Sequence, residues 1–441
     1  MKEEEANSSP LNDLNRRRFI QGSSFATFMA MMGGVAITAA DADKTLPIPK
    51  ADPNYKDKPP GPPVQCGIIG MGVWGRELAA TLSKLPNGPV VAVAENYATS
   101  LRRATEIAPK AEKYDDYRKL LEDKNVKAVI VATPSHEHKK VVLDALQAGK
   151  HVYCEAPLAA TIEDAKAIAT AGKAAASSKL VFQAGLQTRA NPQHHHVVNF
   201  IRAGAMGKAV FARSQYHKKT SLRRASPNPE REKALNWRLS RATSPGLIGE
   251  YGIHPLAVAR WFLNALPVSV SGFGGILHWT DGRDVPDTVQ IIMEFPGGVR
   301  VFHDSTLANS FDSEYEVFNG TDSAVMIRER GAWMFKEVDS PLLGWEVYAR
   351  KEDFFSETGI ALVANATKLL AQGKKPAEAA ADNAAPHQYS LQEFIDNINE
   401  NKKPSAGYQE GYEATVMALK ANEAVLSGQK VEFTKDSFEV S

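Results

Sequence analysis

The chain contains only two cysteines, Cys66 and Cys154, among 441 residues. Both lie in apolar, strand-like runs, where a free thiol behaves as a small buried hydrophobic group, so a fold built on disulfides is excluded. An excess of either charge is also absent, because 52 Lys and Arg residues balance 51 Asp and Glu residues and leave a formal net charge of +1. The whole protein therefore has no electrostatic attraction for nucleic acid or anionic lipid, and a small-molecule partner is favoured.

Long hydrophobic runs are scarce, and the one near the N-terminus is short for a membrane span. Residues 25–40 are diluted by Gly, Thr and Ala, whereas a spanning helix needs about 20 predominantly apolar residues. This stretch follows Asn15-Arg-Arg-Arg-Phe-Ile20 and ends in A-x-A-like sites at 38–42. Residues 1–42 therefore look like a twin-arginine export signal, with a membrane anchor as the alternative. We expect a periplasmic or secreted protein that meets the membrane only during export.

The rest of the chain has the composition of an ordinary globular protein. Residues 43–63 are rich in Pro, Lys and Asp without apolar periodicity, and they are predicted to form an extended linker. With 43% hydrophobic and 23% charged residues, the chain has room for two domains with cores of normal size.

A glycine-rich turn opens the first folded segment. The apolar run 64–69 is followed by Gly70-Met-Gly72-Val73-Trp74-Gly75 and then by leucines at helical spacing. Glycines at a strand-to-helix turn permit the tight turn and let backbone N–H groups approach a pyrophosphate. The motif predicts a dinucleotide site, although by itself it is a weak indication.

An acidic residue strengthens the dinucleotide prediction. Glu95 ends a second apolar run and lies 20 positions after Gly75, where a carboxylate can accept hydrogen bonds from the adenosine ribose hydroxyls. Because a carboxylate would repel a 2′-phosphate, NAD is favoured over NADP. The nearby Arg102 and Arg103 weaken that preference.

Strand-like and helical segments alternate as far as about residue 154. Such alternation implies parallel strands with right-handed crossovers, and it places ligands at the carboxyl ends of the strands. Thr133 and Pro134 follow one predicted strand, and Glu155 follows another. We expect Glu155 at the rim of the cofactor crevice, where it can hydrogen-bond a ribose; a carboxylate at a helix N-terminus is a compatible alternative. Further on, residues 268–336 show short period-two runs that predict an antiparallel meander.

Taken together, these motifs resemble those of the Gfo/Idh/MocA family, the glucose–fructose oxidoreductase and inositol dehydrogenase superfamily. The resemblance runs from about residue 64 to the C-terminus, and its main motifs are 70–75, Ala132-Thr133-Pro134 with His138, and Gly149-Lys-His-Val-Tyr-Cys-Glu155-Ala156-Pro157. It implies an α/β plus α+β fold with three parts. These are a doubly wound parallel Rossmann sheet at 64–188, a substrate and oligomerisation domain on a large, open, mainly antiparallel sheet at 189–385, and C-terminal helices at 386–441 that pack back on the core.

The resemblance also implies a set of cofactor contacts and an oligomer. The residues expected to bind NAD are Gly70, Gly72, Val73, Trp74, Gly75, Glu95, Thr133, Pro134, His138, Glu155 and Gln187. A homodimer or homotetramer is expected.

The family's catalytic motifs are only partly retained. In the family, a Glu-Lys-Pro tripeptide supplies a lysine near the nicotinamide and the substrate, and an Asp-x-x-x-His motif supplies the acid/base histidine. This chain instead has Glu155-Ala156-Pro157 and Glu250-x-x-x-His254. Ala156 cannot carry a proton, so His254 is the expected general base, and Lys218 is our first candidate to replace the lysine.

The spacing of four between Glu250 and His254 lets the two side chains share a helix face. We therefore expect Glu250 to fix the tautomer of His254 and to raise its pKa. The alternative is a capping glutamate with a structural histidine.

The candidate substrate-binding residues are Arg189, His217, Trp237, Arg238 and Tyr251. Trp237 and Arg238 lie in the Arg-rich segment 222–244, which we expect to cover the cleft; a basic surface loop is the alternative. No metal site is expected, because the consecutive histidines at 194–196 would point in directions about 100° apart on a helix and cannot converge on one ion.

Export restricts the chemistry. The compartment outside the cytoplasmic membrane offers no obvious nicotinamide pool, so NAD would have to be loaded before export and then retained. With association at about 10⁶ M⁻¹s⁻¹, a micromolar complex empties in ~1 s, and retention for hours needs roughly picomolar to sub-nanomolar binding. We therefore expect an NAD(P)-dependent oxidoreductase of a sugar, polyol or glycoside with an internally recycled cofactor. The alternatives are an NAD-dependent glycoside hydrolase or lyase, which uses transient oxidation and elimination, and a non-catalytic secreted sugar-binding protein.

Overall fold

The computed structural model describes residues 59–328, 331–341, 351–354, 357–364 and 384–440. The predicted export signal and most of the predicted linker lie outside the described residues. Within the described part of the chain, no helix is both long enough and apolar enough to cross a membrane.

Six parallel strands form the N-terminal sheet, in the order β3-β2-β1-β4-β5-β6. They are β1 (Cys66–Ile69), β2 (Val90–Ala94), β3 (Glu112–Tyr114), β4 (Ala128–Val131), β5 (His151–Cys154) and β6 (Phe182–Ala184). Every residue of β1 and β4 is buried, as expected for parallel strands covered on both faces. The strand order reverses between β1 and β4, so the crevice beyond their carboxyl ends is the expected ligand site.

The helices that connect these strands follow the predicted alternation. They are α1 (Val73–Leu82), α2 (Ala98–Ile107), α3 (Tyr117–Glu122), α4 (His138–Gln147) and α5 (Ile162–Ser177). This confirms the predicted doubly wound sheet.

Ten strands form the second sheet, in the order β14-β15-β13-β12-β11-β7-β10-β9-β8-β16. They are β7 (Ala209–His217), β8 (Ser269–Gly275), β9 (Thr288–Glu294), β10 (Arg300–Thr306), β11 (Glu314–Gly320), β12 (Ser323–Arg328), β13 (Gly331–Lys336), β14 (Lys351–Phe354), β15 (Glu357–Ala361) and β16 (Val431–Glu432). Only the β7–β10 pair is parallel among the described pairs. This confirms the predicted large, mainly antiparallel sheet.

The two faces of this sheet differ in burial. Along β9, Val289, Ile291 and Met293 are buried, whereas Gln290 and Ile292 between them are exposed. The buried face packs against α8 (Ile253–Leu263) and α10 (Tyr408–Ser427). Two further helices, α6 (Pro192–Arg202) and α7 (Pro229–Leu235), lie in the connections around β7.

The helix α9 (Pro386–Glu400) packs on the N-terminal domain although it follows the second sheet in the chain. The Phe394 ring lies 5.7 Å from the Tyr153 ring of β5, and the Tyr153 hydroxyl is 3.1 Å from Ser390 Oγ. At the start of the same helix, His387 Nε2 is 2.9 Å from Thr81 Oγ1, and its ring lies 5.1 Å from that of Trp74. A late segment of the chain thus supports the helix that follows the glycine turn.

Candidate active site

The glycine turn between β1 and α1 is shaped by close approaches that only glycine allows. Gly70 has a φ of +95°, which L side chains rarely adopt. A Cβ at Gly75 would lie 1.9 Å from the Gly70 carbonyl oxygen, so the helix can follow the strand this closely only with glycine there. A Cβ at Gly72, by contrast, would meet no protein atom within 4 Å and would project into open space. The turn therefore has the free backbone surface that a pyrophosphate requires.

Glu95 lies across this turn, as expected for a ribose-binding carboxylate. Its Oε2 accepts a hydrogen bond from the Met71 N–H at 3.0 Å, and its Oε1 accepts one from the Tyr97 N–H at 2.9 Å. The carboxylate is half-buried. It is thus held at the end of β2 by two backbone donors.

Glu155 is buried at the carboxyl end of β5. Its carboxylate accepts hydrogen bonds from the Trp74 side chain and the Ala156 N–H, but Oε1 is buried without a hydrogen-bond partner among the described residues. Burial raises the pKa of Glu155 to about 7 against these two donors. An unpartnered acceptor beside the glycine turn matches a group that receives a hydroxyl from a ligand.

His138, which the resemblance implies as a cofactor contact, is held between the loops that follow β4 and β5. Its Nε2 lies 2.9 Å from the Thr133 carbonyl oxygen, and its Nδ1 lies 3.1 Å from the Pro157 carbonyl oxygen. Both ring nitrogens therefore face protein carbonyls, and burial lowers the pKa of His138 to about 4. The imidazole joins the loops that follow β4 and β5, including Thr133 and Pro134 at the crevice edge.

A single π-helical turn, Ile248–Gly252, carries Glu250 and leads directly into α8, whose second residue is His254. Such turns are rare and occur frequently at functional sites. The turn packs against α10, β10 and β7. Beneath the turn, the buried His303 lies 2.9 Å from Ser214 Oγ and 2.8 Å from Ser305 Oγ. The sheet under the turn therefore contains a polar side chain whose two ring nitrogens both have partners.

The prediction that Glu250 raises the pKa of His254 is wrong. Glu250 Oε2 accepts a hydrogen bond from Arg238 Nε at 2.5 Å, so this carboxylate oxygen is bonded to a guanidinium. A guanidinium is always charged and is a stronger partner for a buried carboxylate than an imidazole that burial keeps neutral. Burial lowers the pKa of His254 to about 4, so the ring is neutral and able to accept a proton at pH 7.

Glu250 also connects the two domains. Its Oε1 lies 3.4 Å from the hydroxyl of Ser135, which stands just beyond the carboxyl end of β4. Burial alone would lower the pKa of Arg238, but the Glu250 carboxylate raises it above its ordinary value. The guanidinium carbon of Arg238 lies 4.2 Å from the centroid of the Trp237 ring, and that ring is 5.8 Å from the His136 ring. The segment 222–244 therefore reaches the mouth of the crevice, as predicted for Trp237 and Arg238.

Two tyrosines flank this ion pair. The Tyr251 and Tyr216 rings stack with centroids 4.3 Å apart and an interplanar angle of 15°. Burial raises the pKa of each hydroxyl, so both remain protonated and able to donate at neutral pH. Arg238, Glu250 and Tyr251 also line a small cavity beneath segment 222–244.

Three other predicted residues lie elsewhere. Lys218 is exposed and hydrogen-bonds through its backbone N–H to Thr306, and among the described residues its side chain has no hydrogen bond to Glu250 or His254. His217 hydrogen-bonds Asp304 on the face of β7 opposite to Tyr216, because successive strand residues point to opposite faces. These placements contradict a substrate-cleft role for His217, and they give Lys218 no contact that would make it the substitute for the missing lysine.

Arg189, a predicted substrate contact, is directed to the C-terminal part of the chain. Its Nε donates to the Ser405 carbonyl oxygen at 2.7 Å, and its guanidinium carbon lies 4.9 Å from the Trp261 ring centroid. Gln187 begins the short 3₁₀ helix that contains Arg189 and is half-buried.

Two site residues are not singled out by the sequence motifs. Ser135 directly follows Thr133 and Pro134, and its position after a predicted strand is the sequence feature that could have identified it. Tyr97, two residues after Glu95, carries no motif and is found only from its contacts.

Comparison with known proteins agrees with this geometry. Residues 64–185 match the family model described as an oxidoreductase family with an NAD-binding Rossmann fold, and residues 194–325 match the GFO/IDH/MocA C-terminal domain. The chain belongs to the Gfo/Idh/MocA family. Its N-terminal domain is an NAD-binding domain, and the open space at Gly72, the Glu95 carboxylate and the unpartnered Oε1 of Glu155 fit that cofactor.

Curated relatives carry several activities. Inositol 2-dehydrogenase of Salmonella typhimurium is 30% identical over 203 residues, which cover 46% of this chain and 55% of that protein. The scyllo-inositol 2-dehydrogenase (NAD(+)) of Bacillus subtilis is 28% identical over 272 residues, which cover 60% of this chain and 73% of that protein. The 2,7-anhydro-N-acetylneuraminate hydratase of Escherichia coli is 27% identical over 281 residues, which cover 60% and 67%. The chain spans about half the length of the first inositol dehydrogenases it matches.

Solved structures share the fold. Levoglucosan dehydrogenase in complex with NADH and L-sorbose superposes with a TM-score of 0.67 at 19% identity, covering 84% of this chain and 99% of that one. An oxidoreductase domain protein from Kribbella flavida gives a TM-score of 0.70 at 20% identity, covering 85% and 100%.

Two glycine substitutions should separate folding from NAD binding. Gly75→Ala forces a Cβ against the Gly70 carbonyl and is expected to destabilise the N-terminal domain by roughly 1–3 kcal/mol. Gly72→Ala should leave the thermal unfolding temperature nearly unchanged but weaken NADH binding at least about tenfold, because its Cβ fills the space left for phosphate. NADH fluorescence titration and calorimetry measure the two effects. Equal effects of both variants on stability would contradict this assignment.

The buried Glu155 carboxylate should make the cofactor-free protein less stable as pH rises. Since its pKa is about 7 in the folded state against an ordinary 4.5, the folded protein binds the proton more tightly, and stability falls between about pH 4.5 and pH 7. The difference corresponds to about 3 kcal/mol. Glu155→Gln should therefore raise the free energy of unfolding at pH 8 and have little effect at pH 4, measured by urea denaturation.

The control for this titration is Glu106→Gln, which removes an exposed carboxylate from the same domain. It should change stability little at either pH. A stabilisation by Glu155→Gln that is the same at pH 4 and pH 8 would show that the carboxylate charge is not responsible.

Proposed function

We propose that the protein is an NAD-dependent oxidoreductase acting on a sugar, polyol or glycoside, with a tightly bound cofactor that is recycled internally. The observation that carries the proposal is the contact of Glu250 with Ser135. It brings the turn that leads to His254 to the carboxyl end of β4, where the NAD-binding domain receives its cofactor. When bound, NAD supplies a hydride acceptor and donor next to these groups.

Two residues, Arg238 and His254, take the two roles of the absent lysine. Ala156 carries no charge, whereas Arg238 places a permanent positive charge at the crevice mouth and is oriented by Glu250. A guanidinium cannot give up its proton under ordinary conditions, so it orients and stabilises a substrate oxygen without acting as a base. His254, kept neutral by burial, receives the hydroxyl proton. The phenols of Tyr216 and Tyr251 remain donors for further substrate oxygens.

A second candidate is redox-assisted cleavage or hydration of a glycoside. It is favoured by the relative named as 2,7-anhydro-N-acetylneuraminate hydratase, whose name denotes water addition to an anhydrosugar. In this alternative, the same neutral His254 and fixed Arg238 serve removal of a proton adjacent to an oxidised carbon.

One purification and assay test these functions together with export. Protein is recovered from the periplasmic or secreted fraction, its N-terminus is sequenced, and its acid extract is analysed by mass spectrometry. We expect a chain that begins after residue 40 or 42 and contains about one NAD per protomer. Production of oxidised sugar with an equal amount of a reduced second carbonyl sugar identifies the oxidoreductase, and cofactor-dependent release of nitrophenol from nitrophenyl glycosides identifies the hydrolase.

His254→Asn is the matched variant for that assay. It should retain NAD and lose turnover by roughly 10²–10⁴-fold, the usual contribution of a general base. A wild-type protein without any nicotinamide nucleotide would instead favour the sugar-binding alternative. An unimpaired His254→Asn enzyme would remove the histidine from the mechanism.

We further propose that the protein is a homodimer or homotetramer that uses the outer face of the second sheet. Phe273, Ile292 and Phe302 are 71%, 42% and 38% exposed on this face, and Phe302 also contacts the Phe211 ring. Light scattering should give a dimer or tetramer, and the double variant Ile292→Lys, Phe302→Lys should give a monomer. Val338→Lys, at an exposed turn, should not change the mass. A wild-type monomer at micromolar concentration would contradict the proposal.

A further inference from the structure

One arginine of segment 222–244 contacts the NAD-binding domain, although the segment belongs to the second domain. Arg231, in α7, has its guanidinium carbon 4.2 Å from the centroid of the Tyr97 ring. Tyr97 belongs to the loop after β2, and its N–H donates to the carboxylate of Glu95. The second domain therefore touches the dinucleotide crevice at its adenosine end.

Arg231 also has a buried N–H donor, Nε, that lacks a hydrogen-bond acceptor. Its Nε is buried without a hydrogen-bond partner, and no ion pair of its guanidinium occurs within the described ranges. In contrast, Arg223 pairs with Glu232, Arg238 pairs with Glu250, and Arg241 bonds the Asp284 carbonyl oxygen. Arg231 as a whole is half-buried, but a buried N–H without an acceptor is unfavourable, so an arriving acceptor would satisfy its Nε.

The groups around Tyr97 have complementary hydrogen-bonding characters. Glu95 offers carboxylate oxygens, which accept from ribose hydroxyls, whereas Arg231 offers guanidinium donors, which bind phosphate oxygens. An adenosine ribose that carries phosphate has both kinds of group. Neither Arg231 nor Tyr97 belongs to the glycine motif that defines the usual dinucleotide turn.

We propose that Arg231, held against Tyr97, is a cofactor-binding residue that the second domain contributes to the phosphate-bearing adenosine half of the dinucleotide. This rests on the proposed function, in which the cofactor is retained through many turnovers. Segment 222–244 contacts the crevice at two places, with Arg231 at the adenosine end and Arg238 at the end near Glu250. Release of the dinucleotide then requires the Arg231 contact to open, and this slows dissociation.

The test measures dissociation of NADH from the loaded full-length protein. NADH fluorescence is followed after addition of excess NAD as a competitor. Arg231→Gln should release NADH at least about tenfold faster than the wild type, the loss expected for one charge-assisted hydrogen bond. Arg224→Gln, which removes an exposed arginine from the same segment, should leave the rate unchanged. Thermal unfolding of the cofactor-free variants verifies that both are folded.

Fragments of the cofactor locate the contact. ADP-ribose binding should weaken in Arg231→Gln as much as NADH binding, whereas reduced nicotinamide mononucleotide should be unaffected. An equal loss for NADH and NADPH assigns the guanidinium to the pyrophosphate, and a larger loss for NADPH assigns it to the 2′-phosphate. Equal weakening of the mononucleotide would show general loosening and would overturn the proposal.

The two proposals fail in different ways. A wild-type protein that binds neither NADH nor ADP-ribose would refute the proposed function and the Arg231 contact together. A wild-type protein that retains NADH, with Arg231→Gln releasing it at the wild-type rate, would overturn the Arg231 contact and leave the proposed function standing.

Discussion

The buried carboxylate of Glu250 is the constraint around which the site is built. A charge with 8% side-chain exposure is tolerated only when it is paired and hydrogen-bonded. Its partners come from different parts of the chain, since Arg238 lies in segment 222–244 and Ser135 lies at the end of β4. Pairing this one charge therefore also fixes where the cleft-covering segment and the NAD-binding domain stand relative to the π-helical turn.

The residues that differ from the family's motifs at this site, Ala156 and Glu250, are consistent with each other. The family resemblance implies a lysine where this chain has Ala156, and here Glu250 reaches Arg238 from another segment. In the proposed function, the proton acceptor and the positive charge, which a lysine can provide together, are His254 and Arg238. His254 can remain neutral because burial lowers its pKa, and Arg238 can remain charged because Glu250 is beside it.

The architecture followed from the sequence because its signals are local. Alternating strands and helices, the glycine turn and Glu95 all depend on spacing within about 30 residues, and each was found where expected. The period-two runs between 288 and 328 likewise became β9 to β12. Each of these patterns reflects the burial of one face of a helix or strand, or the shape of one turn. Residues close in sequence determine both.

The site was less predictable because its contacts join distant segments. Spacing put Glu250 and His254 on one face but could not show that Arg238, from outside that helix, would be the preferred partner. Successive residues of β7 point to opposite faces of the sheet. Tyr216 therefore faces the site, whereas the predicted residue, His217, faces away from it. His138 has a motif position that suggests a ligand, yet its surroundings are carbonyl oxygens from two loops.

The packing of α9 on α1 has a consequence for biosynthesis. The glycine turn emerges from the ribosome hundreds of residues before His387, which contacts Thr81 and Trp74 beside it, and before Ser390 and Phe394, which contact Tyr153 of β5. A nascent chain consequently presents the turn long before its bracing exists, and the nucleotide compartment reaches its final rigidity only after nearly the whole polypeptide has been translated.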